Sequence, residues 1–187
     1  MNYQAKLKTP FGVLGIHCTE EALTGIEFLA PGTRPQPPRN AFAQTVCEQL
    51  LAYIADADFR FDLPLQPGGT AHQNKVWRSM CTIPRGQVQT YGDLAAQIGS
   101  APRAVGQACG NNPIPVIIPC HRVVGKAGLG GFMHHSGGDA LDIKRWLLAH
   151  ETATPSPSTG EGWGEGECAE APPLPQPLSR KGRGEKK

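Results

Sequence analysis

The sequence predicts an α+β protein built as two successive units followed by a low-complexity tail. Three observations carry this. Residues 3–30 alternate short β-type runs with turn residues, residues 70–150 carry helical periodicity with capping signals, and the composition changes abruptly after Glu151.

The first unit opens with three strand-like runs, Tyr3–Thr9, Val13–Cys18 and Leu23–Leu29, separated by Pro10-Phe11-Gly12 and Thr19-Glu20-Glu21. A proline-rich loop, Pro31–Arg39, leads into Ala41–Asp56, where Phe42, Val46, Leu50, Tyr53 and Ile54 fall on one helical face. Phe59–Pro64 reads as a further strand. Gly68-Gly69 marks a boundary, which divides the chain into residues 1–69 and 70–151.

The second unit is mainly helical. Thr70 caps a helix that gathers Val76, Trp77, Met80 and Cys81, and Ile83-Pro84-Arg85-Gly86 stops it. Thr90 and Asp93 form a capping box at the head of Tyr91–Ile98. Gly99-Ser100 breaks that helix, and the next begins with Pro102 in its first turn and ends near Gly110. Two short helices joined by a tight turn form a helix-turn-helix pattern, in which the second helix would read DNA. Ala140–His150 is the last predicted helix. Residues 152–187, rich in Pro, Gly, Ser and Glu, lack the apolar content to build a core and are expected to be disordered.

Composition narrows the function classes. The chain has 187 residues, 39% hydrophobic and 18% charged, with a net charge of +2. That suits a globular protein, permits nucleic-acid binding and does not by itself argue for it. No signal-peptide pattern and no membrane-spanning apolar run is present, so a cytoplasmic location is expected. The six cysteines contain no C-x-x-C pair and read as free thiols, most of them small core residues.

One cysteine has unusual neighbours. The apolar run Ile114-Pro115-Val116-Ile117-Ile118 ends in Pro119-Cys120-His121-Arg122. A packed core thiol is the common meaning of a lone cysteine, but an adjacent histidine and arginine can accept its proton or lower its pKa. Other cysteine chemistries fit poorly. A phosphatase-type loop needs an arginine where Lys126 stands. A zinc site needs a fourth ligand beyond Cys109, Cys120 and His121. A cysteine protease needs a remote histidine.

Pro119-Cys120-His121-Arg122-Val123-Val124 resembles the active-site signature of the O6-alkylguanine–DNA alkyltransferases, also called methylated-DNA–protein-cysteine methyltransferases. The resemblance extends from about Thr70 to Glu151, through Arg103-Ala104-Val105-Gly106, Asn112-Pro113 and Lys144-Arg145-Trp146-Leu147-Leu148-Ala149-His150-Glu151. Thr9-Pro10-Phe11-Gly12 and the strands after it resemble the family's more variable N-terminal domain. The fold this implies is a ribonuclease-H-like α/β domain followed by a winged-helix-like helix-turn-helix domain.

The resemblance also implies roles. Cys120 is the alkyl acceptor, His121 takes its proton through water, Glu151 orients that histidine, and Asn112 braces the turn before the cysteine. Arg103 enters the duplex where the base leaves, Tyr91 contacts the extruded guanine, and Val123 lines the guanine pocket. Phe132 stands where the family usually has tyrosine, and the loop Met133-His134-His135-Ser136 is longer than the common pattern. Some members hold zinc through N-terminal Cys and His residues, but Cys18 lacks partners for it, so neither metal nor organic cofactor is expected. The expected partner is alkylated double-stranded DNA, bound by a monomer. The expected reaction is one irreversible transfer of the O6-alkyl group to Cys120, with O4-methylthymine as a further substrate class.

Overall fold

The computed structural model describes residues 2–135 and 137–152. The expectation of a disordered tail therefore concerns residues that, from 153 onward, lie outside the described ones.

The three N-terminal strands form where the alternation places them. β1 (Ala5–Thr9), β2 (Gly12–Cys18) and β3 (Leu23–Leu29) make an antiparallel meander in chain order. Its register pairs Ala5 with Ile16 and Ile16 with Ile26, so Ala5, Leu14, Ile16, Leu23 and Ile26 are all buried. α1 (Ala41–Ala55) starts at Asn40, whose side chain accepts the Ala43 amide at 2.7 Å. It buries Ala43, Val46, Cys47, Leu50 and Tyr53.

The strand expected over Phe59–Pro64 does not form. Only Leu65 bridges to Leu23, through Leu23 N to Pro64 O at 2.9 Å and Gln66 N to Leu23 O at 2.8 Å. Two causes are visible. Pro64 lacks a ladder donor, and the Gln49 side chain takes both backbone groups of Asp62, donating to its oxygen at 2.9 Å and accepting its amide at 2.8 Å. Backbone hydrogen bonding is thus satisfied by a side chain on α1.

The second unit follows its capping signals closely. α2 (Ala71–Cys81) opens with a reciprocal box between Thr70 and Gln73. β4 (Gln89–Thr90) runs directly into α3 (Tyr91–Ile98), where Thr90 and Asp93 form the expected box. α3 ends at Gly99 with φ 63°, a left-handed cap that glycine adopts without strain. α4 (Pro102–Gly110) follows with proline in its first turn. α2, α3 and α4 pack on one another, and Trp77 on α2 donates from Nε1 to Ala108 O on α4 at 2.8 Å.

Beyond α4 the apolar run 114–118 folds as a compact turn and not as an extended element. A short 3-10 turn, Cys120–Arg122, comes next, then β5 (Val123–Val124). β5 pairs in parallel with β4, Gln89 with Val123 and Thr90 with Val124. That two-residue ladder sets the head of α3, and hence Tyr91, beside the Cys120 turn. α5 (Asp139–Thr152) closes the unit and packs on the 3-10 turn. Among the described residues no helix is long and apolar enough to cross a membrane.

Candidate active site

The turn that presents Cys120 is built around Asn112. Its amide nitrogen donates to Ile118 O at 2.8 Å, and its oxygen accepts the Ile114 amide at 3.0 Å. Ile118 O also receives the Cys120 amide at 2.8 Å across Pro119, whose φ of −83° and ψ of 64° are those of an inverse γ-turn. Within the turn Val116 is held at φ 76°, a strained conformation for a β-branched residue. The turn also docks on the first unit, because Ile26 N on β3 donates to Pro113 O at 2.8 Å. Ile114 and Ile118 are fully buried beneath it.

Cys120 is 3% exposed. Burial pushes its thiol up to about 11, against downward pulls from the Asn112 side chain, Lys144 and nearby backbone groups. The resting sulfur is therefore a protonated thiol, and chemistry here requires a proton acceptor.

The adjacent His121 is the candidate. Its imidazole is wholly buried and its Nε2 lies 2.8 Å from Glu151 Oε1. Burial would raise the Glu151 carboxyl, but the hydrogen bonds and charges of His121 and Arg122 outweigh it and hold the group well below the usual carboxylate range. An ionised carboxylate only accepts, so Nε2 carries the hydrogen and Nδ1 keeps its lone pair. Burial lowers the His121 pKa against the pull of Glu151, which keeps the ring neutral. Nδ1 is buried and has no hydrogen-bond partner among the described residues. The site thus contains a neutral imidazole with one fixed nitrogen and one free basic nitrogen, next in sequence to the thiol.

Glu151 is itself held from three sides. Tyr53 donates to Oε1 at 2.9 Å, Arg122 Nε donates to Oε2 at 2.8 Å, and a terminal Arg122 nitrogen donates to Oε1 at 2.8 Å. Arg122 also reaches Ile83 O at 2.6 Å, and Arg85 donates to the Glu151 carbonyl at 3.2 Å. Sequence reasoning missed Tyr53, which it placed simply on a core face. It also treated Arg122 as a surface charge or a direct neighbour of the thiol, whereas this arginine is the bidentate partner of Glu151.

Cys120 opens onto a cavity of about 290 Å³ lined by Tyr91, Gly106, Cys109, Phe132 and the loop after it. Burial pushes the Tyr91 phenol up to about 12, and its hydroxyl donates to Gly131 O at 3.2 Å. Phe132 is 3% exposed and packs against Phe28 in a tilted arrangement, with ring centroids 5.7 Å apart. Val123 is fully buried, and its carbonyl accepts from Lys144 at 2.7 Å. Lys144 also donates to Leu129 O at 2.6 Å and Gly131 O at 3.0 Å, tying the cavity's far wall to α5. Its complete burial had no signal in the sequence beyond its place in the α5 motif. Arg103 stands apart, exposed in the first turn of α4. It shares a helical face with the cavity-lining Gly106 and Gly110, three and seven positions on.

Of the expected site residues, Cys120, Phe132 and the half-buried Tyr91 line the cavity; His121, Glu151 and Asn112 are buried at the Cys120 turn without lining it, Val123 is buried and not among the lining residues, and Arg103 is exposed on α4. Among the described residues no cluster of three or more His, Cys, Asp or Glu has metal-binding geometry.

Two family models match the chain. The DNA binding domain of 6-O-methylguanine DNA methyltransferase matches residues 71–153, and the ribonuclease-like domain of the same family matches residues 2–67. A methylated-DNA–protein-cysteine methyltransferase of Mycolicibacterium paratuberculosis is 41% identical over 152 residues, covering 76% of this chain and 88% of that protein. The chain belongs to this family. Solved structures agree. The Mycobacterium tuberculosis O6-methylguanine methyltransferase superposes with a TM-score of 0.71 at 33% identity, covering 84% of this chain and 97% of that one. The M. tuberculosis OGT in complex with DNA gives 0.67 at 36% identity, covering 79% and 91%. The α+β architecture, a ribonuclease-like unit followed by a DNA-binding unit, is thus a property of the family.

Proposed function

We propose that this protein repairs DNA by direct reversal, moving the alkyl group from O6-methylguanine to its own Cys120 in a single irreversible turnover. One observation carries the reading. A buried thiol facing a cavity sits beside a neutral histidine whose second nitrogen is fixed on an ionised glutamate. The relative from M. paratuberculosis is named for transfer from methylated DNA to a protein cysteine, and a structural neighbour is solved with DNA. Alkylated double-stranded DNA is accordingly the partner.

In this reading a lesion inside a duplex hides its O6 substituent and must be extruded into the cavity. Arg103 occupies the gap left in the stack, Tyr91 contacts the extruded guanine, and Val123 and Phe132 line its pocket. The Cys120 sulfur then forms a bond to the alkyl carbon as the bond from that carbon to O6 breaks. The thiol proton passes to His121 Nδ1, through a bridging water, and ultimately neutralises the guanine leaving group. Glu151 steadies the positive charge that develops on His121, and Asn112 holds the turn that aims the sulfur. The product thioether has no facile hydrolysis, so the protein is consumed.

We assign the first unit to residues 1–69 and the DNA-binding and active-site unit to 70–151. The reading needs no metal or organic cofactor, because the lesion is the alkyl donor. It places the protein in the cytoplasm as a monomer. Cys18, Cys47, Cys81, Cys109 and Cys120, all free thiols, suit a reducing compartment. Intact-protein mass spectrometry after incubation with an oligonucleotide containing O6-methylguanine tests the whole. The expected result is a gain of one methylene, mapped to Cys120. Modification at another residue, or none, overturns it.

A further inference from the structure

The cavity's far wall contains a feature that alkyl transfer itself does not require. Phe132 and His135 exchange two backbone hydrogen bonds, each 2.8 Å, and enclose a two-residue turn. Its central residues, Met133 and His134, have φ of 49° and 62°. Positive φ at both centres is the type I′ geometry that ordinarily selects Asn-Gly. Here two bulky residues occupy it, and each is strained.

Strain of this kind persists only where surrounding contacts hold it. The His134 ring provides them. Its Nε2 lies 2.9 Å from Asn111 Oδ1. The ring also lies against Gly110 so closely that a Cβ there would come within 2.5 Å of Cε1 and 2.8 Å of Nε2. Gly110 is therefore the seat of this imidazole at the end of α4. The root of the loop is fixed separately, because Gly131 O accepts from both Tyr91 and Lys144. The tip is held by the His134 contact together with Met133, which is half-buried and packs against the core. Met133, His134, Gly110 and Cys120 all line the same cavity.

We propose that His134 is a specificity-determining residue, a latch seated on Gly110 and Asn111 that closes the cavity wall and limits the size of the alkyl group delivered to Cys120. A methyl group reacts with the latch in place. A bulky planar substituent needs the space that the imidazole and its loop tip occupy, so it reacts at the cost of undocking them. The inference rests on the alkyl-transfer reading above.

The test compares second-order transfer rates on two duplex oligonucleotides, one with O6-methylguanine and one with O6-benzylguanine, for wild type, His134→Ala and Asn111→Ala. The readout is the ratio of the benzyl to the methyl rate. Shape discrimination by an apolar-sized wall is worth about 10–200-fold, so His134→Ala should raise the ratio about tenfold or more. Asn111→Ala keeps the ring but removes its hydrogen bond, and should raise the ratio by less. The double variant should match His134→Ala alone, since both remove one contact. An unchanged or lowered ratio in His134→Ala, including a parallel fall on both substrates, overturns the latch. If that variant does not fold, the Asn111→Ala ratio decides in the same way. Failure of the wild type to methylate Cys120 would instead refute the alkyl-transfer reading, so the two failures are distinguishable.

Discussion

Replacing Glu151 by glutamine tests whether the buried carboxylate is part of the chemistry or only of the fold. Glu151 accepts from Tyr53, His121 and both prongs of Arg122, and its side chain is 1% exposed. Glutamine keeps the shape but removes the charge. It also turns an NH₂ group toward neighbours that are all donors. The Arg122 side chain, 15% exposed, loses its counter-ion. Breaking a buried pair in this manner costs about 3–5 kcal/mol. For a chain of this length each kcal/mol lowers Tm by about 2–4 °C, so the melting temperature should fall by about 6–20 °C. The imidazole also loses the acceptor that fixes its tautomer, and transfer should slow by ~10²–10⁴-fold.

The two effects separate by measuring single-turnover transfer well below the variant's Tm, with circular dichroism verifying that it is folded. The pH dependence supplies a second signature. The Glu151 carboxyl is held below its ordinary range in the folded state, so its stabilisation is complete above the unfolded pKa near 4.3 and is lost as pH falls through the folded value. That acid-side loss should be weaker in Glu151→Gln. Transfer at the wild-type rate by a folded Glu151→Gln protein would refute the proton-transfer role, leaving Glu151 as a structural anchor for Arg122.

Cys120→Ser should abolish transfer while retaining binding to a lesion-containing duplex, as read by gel shift and mass spectrometry; any covalent product would remove Cys120 from its assigned role. Arg103→Ala should slow repair of duplex DNA much more than reaction with free O6-methylguanine base. Extrusion costs roughly a few kcal/mol only where there is a stack to leave, so an equal loss on both substrates would place Arg103 in the pocket or the fold. Lys144 is pushed down to about 8 by burial, opposed by Cys120 and Cys109. The unfolded chain therefore binds the extra proton between about 8 and 10.4, and this lysine makes stability rise with pH across that window. The buried thiols of Cys109 and Cys120 act with the opposite sign, so the expected outcome is a difference: wild type minus Lys144→Met should climb over that range, and a flat difference in chemical denaturation would show that Lys144 titrates normally.

Much of the architecture was legible because its determinants are local. Thr90 and Asp93, Gly99 and Pro102 each act on backbone groups within a few residues, and the helix-turn-helix followed from them. The Cys120-His121 pair is also local, because the two residues are neighbours in the sequence. What sequence could not show was which distant groups complete the site. Tyr53 meets Glu151 across 98 positions, and Arg122 meets it across 29. An arginine in a motif reads equally well as a solvated charge. Lys144 reads as surface because lysine is rarely buried unless paired, and its partners here are three carbonyls that carry no side-chain signature. The strand expected over 59–64 and the apolar run 114–118 departed from extended structure for one reason. In both, side-chain amides, Gln49 and Asn112, satisfy backbone groups that a strand would have paired with another strand.

That substitution bears on how a buried thiol can be both inert and reactive. With its thiol pushed up to about 11, Cys120 carries a thiolate roughly one time in ten thousand at neutral pH. Adventitious electrophiles and oxidants react with the thiolate, so the resting protein is protected by the same burial that would disable an ordinary nucleophile. Reactivity must then be created only when substrate fills the cavity, and the site holds what that requires. Asn112 bonds its own turn and not a neighbouring strand, which in the proposed mechanism sets the aim of the sulfur before any substrate arrives. In the proposed mechanism His121 accepts a proton without prior ionisation of the thiol, and Glu151, already ionised, stabilises the resulting imidazolium. His121 and Arg122 keep that carboxylate charged in a place where burial alone would protonate it. When the proton moves on to the departing guanine, every group except Cys120 returns to its starting state. The reaction thus ends after one turnover because the sulfur has lost its proton and gained a carbon, not because the surrounding network has been spent.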